Sequence, residues 1–150
     1  FGSRCSAAMR LLALHGSRSN AKHFREESTL LRWALQGVAE LEFVEADYCY
    51  PGTRQRSWFG ALDGTGLLGS CKKLELILCQ GDFDGVIGFS QGAAMAAVLA
   101  AYLETSGEEG AFLTNLRCVI LIAGYVPCAG ALAGDAFSSF FRHRKVRLPS

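Results

Sequence analysis

Residues Phe83 to Ala97 read FDGVIGFSQGAAMAA, and this stretch decides the fold. Val86, Ile87 and Phe89 form a short β-rich apolar run after the turn Gly81-Asp82-Phe83-Asp84-Gly85. Beyond it, Met95, Val98, Leu99, Tyr102 and Leu103 continue a long helical segment that is apolar on nearly every side. Between the two lies Gly88-Phe89-Ser90-Gln91-Gly92. Its glycines stand where a strand turns sharply into a helix and where a Cβ would collide with neighbouring backbone. A bare GxSxG fixes only three positions; the succession strand, turn, helix makes this one read as a nucleophile elbow that pushes Ser90 outward.

Working outward, Arg10–Leu14 is a short apolar strand that stops at His15-Gly16. A polar loop, Ser17 to Asn20, leads from it into an amphipathic helix carrying Phe24, Leu31, Leu35 and Val38, with Asn20 as N-cap. Leu41–Ala46 is the next strand. From Tyr48 to Leu68 periodicity fails in a loop rich in aromatics and glycine. Trp58 and Phe59 in it are expected either to form the wall or lid of a substrate pocket, because exposed aromatics cover apolar surface, or to belong to an irregular surface excursion. Ser70 is expected to cap a helix running to Gln80. After the elbow helix, Glu104–Gly110 reads as a solvated linker and Leu116–Ala123 as a strand covered on both faces, broken at Gly124-Tyr125-Val126-Pro127. Cys128–Lys145 reads as loop plus a short helix bearing Phe137, Phe140 and Phe141, and a further strand begins at Val146. Strands alternating with helices predict an α/β fold, a three-layer parallel sheet of right-handed βαβ units. In such sheets ligands bind beyond the carboxyl ends of the strands, where both Ser17 and Ser90 fall.

Composition narrows the function. The 150 residues fit one domain, half of them are hydrophobic, and the net charge is +1 with Lys and Arg scattered. No concentrated positive field invites nucleic acid, so a small-molecule partner is expected. No run reaches the ~18 apolar residues of a membrane span and no signal-peptide pattern is visible, which leads to the expectation of a cytoplasmic protein, with the nucleus as a further location. The six cysteines (Cys5, Cys49, Cys71, Cys79, Cys118, Cys128) show no CxxC pair and read as free thiols, with no metal site and no cofactor. Met9 stands just before the first strand, so Phe1–Ala8 is expected to be an upstream segment.

A serine hydroxyl needs a base and N–H donors aimed at the oxyanion that forms when it attacks a carbonyl. The N–H of Gln91, first in the helix, and the N–H of Ser17, after the first strand, suit the second role, and Gly16 lets that loop approach. In this fold the triad runs Ser, acid, His along the chain. Only His143 follows the serine, in the basic run Arg142-His143-Arg144-Lys145 ahead of the next strand, with Asp135 before it; neither sits where the triad requires. His15 and His23 read as structural.

These residues resemble the FSH1-type serine hydrolases of the α/β-hydrolase superfamily. The likeness rests on LLALHGSRSNAKHF, on Arg56-Ser57-Trp58-Phe59, on GDFDGVIGFSQGAAMAA and on VILIAGYVP, and covers most of Met9 to Ser150. It implies hydrolysis of carboxylic esters or thioesters with Ser90 as nucleophile and Ser17 and Gln91 as oxyanion donors. It also implies a catalytic Asp after the strand near Leu148-Pro149-Ser150 and a His one strand later, so that residues 9–150 correspond to the N-terminal two-thirds of such a domain, a partial α/β-hydrolase fold. The acidic-apolar dipeptide usual after Asp47 is replaced by Tyr48-Cys49. Two functions stay open: a serine esterase or thioesterase whose triad this chain does not complete, or an inactive product that binds partners through an unpaired sheet edge.

Overall fold

The computed structural model describes residues 8–50, 52–105 and 116–127. The expectations for residues 1–7, for the linker beyond Thr105, and for Cys128 onward, including Asp135 and His143, lie outside the described residues.

Four parallel strands, β1 (Met9–Leu14), β2 (Ala39–Val44), β5 (Gly85–Phe89) and β6 (Cys118–Ile122), form a sheet in the order β2-β1-β5-β6. The chain steps from β1 to one side and later returns to the other. A right-handed crossover must therefore place the early helices on one face and the later ones on the opposite face. Side-chain alternation agrees: Leu11, Ala13 and Ile87 pack with Phe24 on one face, while Leu12, Leu14 and Val86 pack with Leu74, Met95 and Leu99 on the other. Each fully buried leucine in this second core contributes about 1.5–3 kcal/mol. At the amino ends, Asp84 fixes the register of β1 on β5: its carboxylate accepts from the Arg10 N–H at 2.9 Å and its own N–H donates to the Arg10 carbonyl at 2.8 Å.

The expected first helix is two, α1 (Ala21–Glu27) and α2 (Thr29–Ala34). Asn20 caps the first as anticipated, accepting from the His23 N–H at 2.8 Å. The break falls at Ser28-Thr29, whose hydroxyls donate back to the carbonyls of Arg25 and Glu26 at 3.3 and 2.7 Å and so compete with helix propagation. The turned second piece leaves Leu30 and Trp33 exposed, and Val38 lies outside it, 60 % exposed.

The aromatic loop contains a small hairpin, β3 (Tyr48–Cys49) antiparallel to β4 (Arg56–Ser57), that periodicity did not reveal. Helix α3 runs Leu67–Gln80, so Ser70 is not its cap; it lies inside the helix and its hydroxyl donates to the Trp58 carbonyl at 2.5 Å. Helix α4 (Gln91–Thr105) is largely buried, as its composition predicted. Strand β6 departs from expectation: Val119, Ile120 and Leu121 are 39, 38 and 50 % exposed, because β6 is the sheet edge among the described residues. Cys49, Cys71, Cys79 and Cys118 are free thiols. Among the described residues no helix is long and apolar enough to cross a membrane, and no cluster of side chains forms a metal site.

Candidate active site

Strand β5 ends at Phe89, helix α4 begins at Gln91, and Ser90 makes the whole turn between them with φ 54°. A non-glycine residue adopts that left-handed conformation only where its surroundings enforce it. Two contacts do so here. A Cβ on Gly88 would run into the Gly92 carbonyl, and a Cβ on Gly92 would strike the Leu14 carbonyl and lie 2.6 Å from the His15 oxygen. Helix and strand thus touch through bare backbone on both sides of the serine. The Ser90 N–H donates to the Ile122 carbonyl at 2.9 Å, tying the turn to the end of β6, where Ala123 also has positive φ, 51°. Ser90 is half-buried, and among the described residues its hydroxyl has no hydrogen-bond partner.

The turn after β1 abuts the same spot. A Cβ on Gly16 would lie 3.5 Å from the Ser90 Cβ, an ordinary contact, so the approach is close without glycine being required for it. Ser17 is exposed beside it. Neither the Ser17 N–H nor the Gln91 N–H donates to another described residue; for Gln91 this follows from its place in the first turn of α4. The structure therefore brings Ser90, Ser17 and Gln91 together at neighbouring strand ends.

His15 is completely buried under this turn. Its Nδ1 lies 2.7 Å from the Gly16 carbonyl, and its Nε2 accepts from the Ala46 N–H at 3.2 Å. That pairing assigns a neutral ring with the proton on Nδ1. The Glu45 carboxylate lies 3.3 Å from Nε2 and would favour the cation, but burial outweighs it and holds the imidazole below the ordinary histidine value. With both nitrogens engaged, His15 is a brace rather than a base. His23, on the surface, faces Glu27 at 3.1 Å.

Trp58 and Phe59 correct the sequence reading. Both have no exposed surface, so neither walls an open pocket. Trp58 packs against His15 with ring centroids 5.2 Å apart and donates from Nε1 to the His15 carbonyl at 2.8 Å. The polar tip of the indole found a backbone partner inside the core, which is what makes full burial tolerable. Apolar surface near Ser90 comes instead from two grooves, one including Phe24, Leu31, Phe89 and Ile122, the other Ala93, Leu121, Gly124 and Tyr125.

Two features escaped sequence reasoning. The Gln91 side chain, fully buried, accepts from the Trp58 N–H through Oε1 and donates from Nε2 to the Phe59 carbonyl, both at 2.9 Å. The Ser57 hydroxyl lies 3.0 Å from that of Ser17 and accepts from the Arg18 N–H at 3.1 Å. Both depend on long-range placement; the only local signal was a polar residue beside large apolar ones in Arg56-Ser57-Trp58-Phe59.

The family description Serine hydrolase (FSH1) matches residues 5–150. The chain is 32 % identical to Esterase OVCA2 of Danio rerio over 78 % of this chain and 65 % of that protein. Identity to Esterase OVCA2 of Homo sapiens is also 32 %, over 95 % of this chain and 73 % of the relative. The chain spans 65 to 73 % of the length of these two curated relatives. Among solved structures, the crystal structure of Arabidopsis thaliana SOBER1 superposes with a TM-score of 0.57 at 21 % identity, covering 84 % of this chain and 66 % of that one, a likeness of fold.

Proposed function

Since the chain belongs to the FSH1 serine hydrolase family, we propose that it hydrolyses carboxylic esters or thioesters through an acyl-enzyme on Ser90. The observation that carries this reading is the left-handed Ser90 held between β5 and α4 by two backbone contacts that only glycine permits. In the proposed reaction Ser90 Oγ bonds to the acyl carbon and its proton passes to a base. The carbonyl oxygen, now negative, is held by the N–H groups of Ser17 and Gln91. Collapse expels the alcohol or thiol, and water attacking the acyl-enzyme releases the acid and restores Ser90. His15 does not serve as the base, because both its nitrogens are bonded within the fold. We assign the base and its acidic partner to residues outside those described, in keeping with the order Ser, acid, His.

Ser90→Ala in the full natural chain tests the reading with a p-nitrophenyl ester and a fluorophosphonate probe. Loss of both turnover and labelling is expected; turnover surviving the substitution overturns it. One observation favours a second reading, a binding module without turnover: β6, the apolar sheet edge among the described residues, leaves Leu121 half exposed. Fluorophosphonate labelling of the unmodified chain at Ser90 decides against that alternative, and its absence decides for it.

A further inference from the structure

We propose that Ser57 is a positioning residue for the oxyanion hole, an inference that rests on the acyl-enzyme reading of Ser90. The two residues whose N–H groups would hold the oxyanion come from distant parts of the chain. The segment Arg56–Phe59 is bonded to both. Toward Gln91 it offers the Trp58 N–H and the Phe59 carbonyl to the two ends of the side-chain amide. Toward the turn after β1 it offers four contacts. The Arg56 N–H donates to the Ser19 carbonyl at 2.7 Å, the Ser19 N–H donates to the Arg56 carbonyl at 3.2 Å, and the Ser57 hydroxyl meets both the Ser17 hydroxyl and the Arg18 N–H. Between these ends the Trp58 indole donates to the His15 carbonyl. The segment is thus a crossbar whose length sets the separation of Ser17 from Gln91.

Within that crossbar, Ser57 is the side chain that grips the turn, and it is fully buried. It accepts from the peptide group directly after Ser17, in front of Arg18 at φ 57°. Arg18 holds that left-handed conformation only while its surroundings fix it. The Ser57 hydroxyl therefore determines the angle between the peptide planes on either side of Ser17, and with it the aim of the Ser17 N–H. A mis-aimed donor matters most when the oxygen carries full negative charge, so the loss belongs in kcat and not in KM.

Removing an oxyanion donor outright costs about 10²- to 10³-fold in kcat, so mis-aiming one is expected to cost roughly 10-fold. The experiment uses the full natural chain with Ser57→Ala and a p-nitrophenyl ester, kcat being expressed per site titrated with a fluorophosphonate. Turnover per titrated site should fall roughly 10-fold with KM within about twofold, affinity for an alkyl trifluoromethyl ketone should fall in parallel, and Ser57→Thr should restore both. If Ser57→Ala does not fold, Ser57→Cys, which fills the same space with a weak acceptor, is expected to show the same split. Turnover per titrated site unchanged within about twofold in the folded variant, or an equal rise in KM, overturns the inference. Ser90→Ala separates the two claims. If it abolishes turnover while Ser57→Ala behaves as wild type, the positioning role alone falls; if it leaves turnover intact, the acyl-enzyme reading falls and takes this inference with it.

Discussion

Replacing Gln91 with Met tests whether the buried amide holds the elbow to the crossbar. The two side chains are close in volume, so no sizeable cavity opens and the cavity contribution to instability is small. What changes is polar satisfaction. The Trp58 N–H loses the acceptor it has at 2.9 Å and the Phe59 carbonyl loses its donor, both within residues that have no exposed surface. A buried backbone group left without a partner costs about 1–3 kcal/mol, so the pair predicts a loss of about 2–6 kcal/mol. Against a typical domain stability of about 5–15 kcal/mol, that is a large fraction of the total. Equilibrium urea unfolding followed by tryptophan emission measures it, because Trp58 is fully buried while Trp33 is 74 % exposed. Gln36→Met, at an exposed position, is the control and should stay within about 0.5 kcal/mol of wild type. A loss below about 1 kcal/mol for Gln91→Met would refute the reasoning, since it would mean that neither backbone group depends on the amide.

Two further predictions concern neighbouring groups. Because burial lowers the pKa of His15 in the folded state below 6.5, its neutral form supplies stability that is present above pH 6.5 and is lost as pH falls through the folded value. Unfolding free energies from urea titrations between pH 5 and 7 should therefore drop toward acid by at most about 1.4 kcal/mol per pH unit, and the difference from His15→Gln isolates this contribution from Glu45 and Lys73 nearby. An identical pH profile in both proteins would contradict the neutral assignment. Gly92→Ala should destabilise by about 3 kcal/mol, since its methyl meets the rigid backbone of Leu14 and His15. Gly69→Ala, an exposed α3 position with nothing within 4 Å of the added carbon, should stabilise by about 0.5–1 kcal/mol. Thermal melts of the two variants shifting in the same direction would count against the contact geometry.

The strand, sharp turn and helix around Ser90 were legible because everything that makes them is local: an apolar run, two glycines and a helical alanine segment follow one another within fifteen residues. The parallel sheet was legible for a related reason, since alternation of element types constrains topology before any contact is known. The Ser28 break was not, because apolar spacing runs through it, and the competing hydroxyls of Ser28 and Thr29 are no part of a hydrophobic pattern. Trp58 and Phe59 were misplaced by their surroundings in the chain. A glycine-rich loop suggests surface, yet α3 and the elbow helix close over these rings, and Ser70, Gln91 and His15 satisfy the polar groups they carry inside. For Ser17 and Gln91 the sequence pointed to backbone N–H groups, while the side chains of the same two residues bind the crossbar, a use that becomes visible only once Arg56–Phe59 is placed beside them.

The strand order also has a consequence for how the molecule is made. Strand β1 leaves the ribosome long before its central neighbour β5, with β2 available first on its other side. Until residues 85–89 are synthesised, the nascent sheet carries an open edge at β1 whose Leu12 and Leu14 are destined for full burial. Pairing across so long a loop is slow, and the half-sheet is vulnerable to association with other chains meanwhile. The elbow closes that window. Strand β5 fills the edge, and the next turn of chain sets Gly92 against the Leu14 and His15 carbonyls, capping the carboxyl end of β1.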